Sequence, residues 1–205
     1  MKRILFFLTL LTTATMSQSA HAMRFSLVGA ANMSEPKVAG TKYTAVNGFG
    51  YGALLEFGIM PFFTMELGAL SLPRNFEYGQ NVPSVAHTTV KMKMLEVPVV
   101  FKAYLGHALS VGLGGYYAKY KGDISYESTD AFGQTSVTNK TLSAAGHSAS
   151  DYGLVTSLGL YIPLAPLTRI ILDGRYTIGI KNNNIGAGTT TYNDLQLLAG
   201  VRFSF

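Results

Sequence analysis

The sequence has 205 residues, with 16 basic residues against 11 acidic ones and no cysteine, which excludes a disulfide framework, a thiolate nucleophile and a cysteine-based zinc site. Apolar residues make up 48% and charged residues only 13%, with 22 Gly, 12 Phe and 12 Tyr, whereas a water-soluble domain carries about 25% charged residues. The formal charge of +5 is too small and too scattered along the chain to suggest a nucleic-acid partner.

Met1-Lys2-Arg3 is a basic head, Ile4 to Leu11 an apolar stretch, and Ala20-His21-Ala22 puts small residues where a signal peptidase reads. Residues 1–22 are therefore expected to be a cleaved secretory signal, leaving a single domain over residues 23–205. Loss of Lys2 and Arg3 brings the charge to about +3. No later apolar run reaches the ~18 residues of a transmembrane helix. Instead, from Met23 onwards the apolar residues recur at a period of two, which predicts strands. Phe25, Leu27, Gly29 and Ala31 alternate with Arg24, Ser26, Val28 and Ala30. Phe49 to Ile59 alternates with Gly50, Gly52, Leu54, Glu56 and Gly58, and Phe63 to Ala69 with Thr64, Glu66 and Gly68. Leu95 to Ala103 stands against Glu96, Pro98, Val100 and Lys102, and Leu109 to Tyr117 against Ser110, Gly112, Gly114 and Tyr116. Tyr152 to Ile162 opposes Gly153, Ser157, Gly159 and Tyr161; Ile170 to Ile180 opposes Arg169, Asp173, Arg175 and Thr177. Leu195 to Phe205 opposes Asp194, Gln196, Gly200, Arg202 and Ser204.

These runs predict eight strands, and the connections between them alternate in length. Residues 34–47, 73–88, 121–148 and 182–191 are long and polar, while Met60-Pro61, Gly106-His107 and Pro163 to Pro166 are tight turns. That asymmetry points to an all-β fold: an eight-stranded antiparallel transmembrane β-barrel with four long external loops and short periplasmic turns. A strand protein spans lipid only as a closed barrel, because every backbone N–H and C=O must be paired within it. The apolar parity then faces lipid and the polar or small parity faces the lumen. A soluble lipocalin-like barrel is the rival fold, and it would turn the apolar parity inward. Aromatic residues sort towards strand ends as interfacial girdles require: Phe57, Phe63, Phe203 and Phe205 near the short turns, Phe49, Tyr51, Tyr117, Tyr152 and Tyr176 towards the loops. Inward glycines, among them Gly114 and Gly200, are expected to relieve crowding in so narrow a lumen. Pro98 within a strand is expected to mark a bulge. Lys91 and Lys93 share the lipid-facing parity of Leu95 and are expected above the membrane, or beyond a register shift near Met94-Leu95.

Three segments carry a family resemblance: Leu95-Glu96-Val97-Pro98-Val99-Val100-Phe101-Lys102, Arg175-Tyr176-Thr177-Ile178-Gly179 and Leu198-Ala199-Gly200-Val201-Arg202-Phe203. They resemble the small outer-membrane β-barrel family typified by PorT, which is itself similar to the OmpA/OmpX-type eight-stranded barrels. The resemblance implies residence in the outer membrane of a diderm bacterium and assembly by the barrel-insertion machinery. That machinery reads a terminal aromatic strand, so Phe205 and Phe203 are the implied assembly signal. Periplasmic chaperones, outer-membrane lipids and lipopolysaccharide are the expected partners, with a surface ligand at the loops a further one. The resemblance carries over no catalytic residue and no cofactor.

By parity the lumen holds Arg24, Glu56, Glu66, Glu96, Lys102, Arg169, Asp173, Arg175 and Arg202. Buried charges must pair, since desolvating a lone ion costs several kcal/mol. The expectation is a salt-bridge plug centred on Glu96, Arg175 and Arg202, in a structural or surface-interaction protein; a narrow channel for small or apolar solutes is the alternative. A lipid enzyme would need Ser, His and an acid in mutual reach, and only His147-Ser148 with Ser150-Asp151 offers them. Neighbouring residues of a strand point to opposite faces, which argues against a shared proton there and for no enzyme.

Overall fold

The computed structural model describes residues 23–38, 43–79, 85–183 and 190–205, and the proposed signal peptide, residues 1–22, lies outside them. Nine strands run through these residues: β1 (Met23–Val38), β2 (Thr44–Met60), β3 (Phe63–Tyr78), β4 (Val85–Leu105), β5 (Leu109–Asp130), β6 (Thr135–Lys140), β7 (Ser150–Ala165), β8 (Thr168–Gly179) and β9 (Thr190–Ser204). Every pairing is antiparallel. The order β4-β3-β2-β1-β9-β8-β7-β5 closes through a β4–β5 pairing into a ring of eight, and β6 hangs on the far end of β5. Closure between first and last strands sets Phe25 opposite Phe203 and Asn32 opposite Gln196.

The two faces follow the alternation. In β1, Arg24, Ser26, Val28, Ala30, Asn32 and Ser34 are buried inside while Leu27 is 54% exposed on the outside. The outer wall carries Leu113 at 62% exposure, Leu158 at 61% and Phe101 at 55%. A belt of bare leucines of this density would be untenable in water, so the soluble-barrel alternative fails on its own surface. Aromatic rings border the belt, with Phe63 and Phe205 at the short-turn end and Phe49, Tyr51, Tyr117 and Tyr152 at the other. From Leu109 to Tyr117 the wall climbs about 21 Å at ~3.4 Å per residue and ~40° tilt, close to the ~25 Å lipid-facing band of such barrels.

The strands outrun that band. β4 has 21 residues and β5 has 22, where ~9–11 cross a membrane. Much of what the composition suggests as loop at 34–47, 73–88 and 121–148 is therefore wall, continued upward by strand pairing such as Phe76 opposite Val90 and Tyr126 opposite Val90 on the other flank. The ninth strand, β6, folds back on β5 by a turn at Asp130–Gly133 and pairs over residues 135–140. All six of its residues are exposed, so no apolar alternation announces it.

Two local expectations change. Pro98 makes no bulge: Leu67 stands opposite Val99 and Leu70 opposite Glu96, one unbroken register, and the β3–β4 ladder merely opens between them. Gly68 takes the pyrrolidine ring, since a Cβ there would lie 2.7 Å from Pro98 Cγ. The irregularity lies higher, in β5, where Lys93 faces Lys121 but Lys91 faces Ser125, and Gly122 adopts φ +73° to make the bulge. Lys91 and Lys93 stay on the outer face, above Leu95. Inward glycines lie where the neighbouring strand's backbone comes too close for a side chain. A Cβ at Gly114 would sit 1.9 Å from the Val99 carbonyl oxygen and one at Gly200 2.0 Å from that of Leu27.

Candidate functional site

Inside the ring the charged residues form tiers, with Leu54, Leu70, Val100 and Leu198 buried among them. The tier nearest the short turns joins β1, β2, β4 and β9. Glu56 accepts from Arg24 at 2.5 Å and from Arg202 at 2.8 Å. Tyr104 donates its hydroxyl to the same carboxylate at 2.7 Å and accepts from Arg202 Nη1 at 2.6 Å. The Arg202 guanidinium lies 4.1 Å from the Tyr161 ring centre, so one of its flat faces is covered by π-electrons.

The second tier is a four-membered ring of charge. Lys102 Nζ reaches Glu66 at 2.8 Å and Asp173 at 2.7 Å; Arg175 Nη2 reaches Glu66 at 2.7 Å and Asp173 at 3.0 Å. Each cation thus bridges both anions. Glu66 and Glu56 are direct cross-strand neighbours, and their repulsion is relieved because each turns to cations of a different tier.

The third tier hangs on Arg74, whose side chain is fully buried and bonded to Asp151 at 2.7 Å, to Asp194 and to the Tyr120 hydroxyl. Its guanidinium packs 4.3 Å from the Tyr192 ring centre, and Tyr116 donates to Asp151 at 3.2 Å. Above it lies a cup of about 170 Å³ lined by Tyr43, Phe76, Val90, Met92, Ile124 and His147. His147 donates from Nδ1 to the Ser148 carbonyl at 2.7 Å, and its Nε2 meets the Tyr192 hydroxyl at 3.0 Å. Burial holds this imidazole below its ordinary pKa.

The residues singled out by parity are thus divided among different heights. Arg24, Glu56 and Arg202 meet in the first tier; Glu66, Lys102, Asp173 and Arg175 meet in the second. Glu96, Arg175 and Arg202 do not form a common centre. Parity selects a face and says nothing of height, and register places Glu96 beside Leu70 and Ala118, with Gln196 rather than an arginine as its hydrogen-bond partner. Glu96 instead accepts from Gln196 Nε2 at 2.9 Å. Arg169 also stands apart. Its cross-strand neighbour is the like-charged Arg202, and it donates to the His107 carbonyl at the short turn, at 2.9 Å and half-buried. Sequence reasoning left Arg74, Asp151 and Asp194 out of the charge network, although Asp194 stands on the inward parity of its strand. The signal was present: Arg74 continues the inward parity of Glu66 and Gly68 beyond Pro73, where a loop seemed to begin.

The Ser–His pairing that an enzyme would need is absent from the described residues. Ser148 donates to the Ser150 carbonyl, Ser150 accepts from Lys181, and Asp151 is engaged by Arg74. Among the described residues no three His, Asp or Glu side chains converge to hold a metal.

No family model and no curated protein matches the chain. Solved structures do. The outer membrane protein OprG from Pseudomonas aeruginosa superposes with a TM-score of 0.58 at 15% identity, over 92% of this chain and 97% of that one. The fold is that of a small outer-membrane β-barrel. Ail, the attachment invasion locus protein of Yersinia pestis, solved with the heparin analogue sucrose octasulfate, gives 0.45 at 15% identity over 88% of this chain and 99% of its own. Neisserial surface protein A gives 0.44 at 15% identity, over 88% and 97%.

Proposed function

We propose that this chain is an integral outer-membrane barrel of structural or surface-interaction type whose lumen is closed, and that its interactions take place on its outer wall and rim. The observation that carries the reading is the third tier: Arg74, Asp151 and Asp194 are each wholly buried across the lumen, linking β3 to β7 and β9. Ions held that tightly leave no wet path past them. Among the described residues no serine pairs with a histidine as an activated nucleophile would, so the reading assigns no enzymatic activity and calls on no cofactor. Export with removal of residues 1–22, assembly through Phe203 and Phe205, chaperone escort and contact with lipopolysaccharide belong to the same reading. Kinship with the PorT-type family rests on the three motifs in the second half of the chain. Heat-modifiable gel mobility in an outer-membrane fraction tests the location, and its presence only in soluble periplasm would overturn it. Planar-bilayer recording tests the closure. Purified protein is expected to give no stable discrete conductance, while replacing both Arg74 and Arg175 by Ala opens one; a steady pore in the unaltered protein would refute the plug.

The cup above Arg74 favours a second reading, uptake of a small apolar solute at the outer mouth. Phe76 and His147 of its lining rest on Tyr192, which in turn covers Arg74, so the solute would bind there and go no further unless the third tier moves. Liposome swelling with small apolar and polar solutes separates the two readings.

A further inference from the structure

On the outer surface, the β5 bulge opens a cleft of about 460 Å³ between β3, β4 and β5. Lys91, Lys93 and Lys121 line it, and Asn75, Asp123 and Ser125 complete its polar wall. Register fixes the grouping, for Lys93 stands directly opposite Lys121 and Lys91 opposite Ser125 and Asn75. Lys119, exposed, continues the basic face one outward position below Lys121. Like charges set opposite one another on neighbouring strands repel, and little here offsets them. Lys91 pairs with Glu127 at 2.6 Å, while Lys93, Lys119 and Lys121 have no carboxylate within ion-pair distance among the described residues. Asp123 is the acidic group on the cleft itself.

Height decides what such a cleft meets. Tyr117 belongs to the outer aromatic girdle, and at ~3.4 Å per residue and ~40° tilt Lys119 stands about 5 Å above it and Lys121 about 10 Å. Lys119 thus stands within the headgroup layer, which extends ~5–8 Å beyond the hydrocarbon on each side, and Lys121 at its upper boundary. Lysine stems are long enough to lie along the wall and hold their ammonium groups at this level. We propose that the cleft binds the phosphate headgroup of an outer-leaflet lipid, with Lys93 and Lys121 as the paired cationic contacts, Lys91 exchanging Glu127 for the ligand, and Asn75 and Ser125 donating hydrogen bonds. The site rests on the outer-membrane reading above, and deepens it by naming where on the wall a lipid is held.

The test uses the full mature chain folded into phosphatidylcholine vesicles doped with diphosphoryl lipid A, with lipid retained after detergent extraction counted by mass spectrometry. The unaltered protein and a Lys37→Gln control are expected to retain lipid A, and K93Q/K121Q to lose retention about tenfold or more. Equal retention by the double variant would overturn the site. Displacement of the lipid by millimolar inorganic phosphate, at concentrations that leave a phosphatidylglycerol-doped control unaffected, would assign the cleft to free phosphate and overturn the lipid. Heat-modifiable mobility is read on every sample: a double variant that keeps it while losing lipid supports the site. An unaltered protein that lacks it in vesicles fails the membrane reading itself.

Discussion

Arg74→Met is the sharpest test of the lumen. The substitution keeps most of the side-chain volume and removes the cation, leaving Asp151 and Asp194, both fully buried, with no basic partner. Breaking a buried pair by deleting one partner costs about 3–5 kcal/mol, because the surviving charge is stranded. Here two carboxylates are stranded, and the stacking on Tyr192 at 4.3 Å goes with them. The expected loss is therefore at the upper end of that range, about 5 kcal/mol, read from urea titrations of the vesicle-folded protein followed by gel mobility. A companion variant, R74M/D151N/D194N, removes the stranded charges and is expected to recover at least half of the loss. A single variant that shifts stability by less than about 1 kcal/mol, or a triple variant no better than the single one, would refute the claim that this tier is an ion-paired core.

Glu96 carries no ion pair: it accepts from Gln196 through one oxygen, and the other has no hydrogen-bond partner among the described residues. Glu96→Gln is expected to raise the urea midpoint at pH 8, by about 1–2 kcal/mol of stability, since an amide is far cheaper to bury than a carboxylate. Gly200→Ala places a Cβ 2.0 Å from the Leu27 carbonyl oxygen, whereas one at Gly29 on the opposite face of that pairing lies 3.9 Å from its nearest neighbour, Ala199 O. The first is expected to cost about 1–3 kcal/mol or to block folding, and the second to leave the midpoint within about 0.5 kcal/mol. His147 has its pKa lowered by burial, then by Arg74 and Lys181 nearby, against opposing contributions from the Ser148 carbonyl and Asp151. Because the unfolded imidazole titrates near ~6.5 and the folded one lower, its contribution is complete above that value and is lost as pH falls through the folded pKa. Hydrogen exchange at the outer end should therefore quicken below about pH 6.5, and His147→Gln should remove that dependence.

What the sequence made legible was whatever alternation controls. Leu27 outside and Ser26 inside, or Phe203 outside and Arg202 inside, follow from parity alone, and with them the membrane, the girdles and the ring. Parity is silent on height, so Glu96, Arg175 and Arg202 looked like one cluster and lie at different levels. It is equally silent where a strand leaves the lipid. Arg74 and Phe76 lie beyond Pro73 in a polar stretch, yet β3 continues because its partner β4 does, and the third tier was hidden there. β6 has no buried face at all, so nothing in its composition could distinguish it from loop.

The tiers also set the order in which the protein can be made. Arg74 meets Asp194 across 120 positions of sequence, Glu56 meets Arg202 across 146, and Glu66 meets Arg175 across 109. The β1–β2 hairpin already brings Arg24 to Glu56 and the β3–β4 hairpin brings Lys102 to Glu66, whereas Arg74 finds its carboxylates only on β7 and β9. A half-built sheet of β1 to β5 would hold Arg74 with both its carboxylate partners still missing, and Glu56 and Glu66 with one of their two cations each, which is costly in a low-dielectric surrounding. Contacts of this range reward the chain only after its longest loops have closed. Folding should therefore be strongly cooperative: few stable partial barrels, and one late step in which β9 docks on β1 and brings Asp194 to Arg74 and Arg202 to Glu56 together.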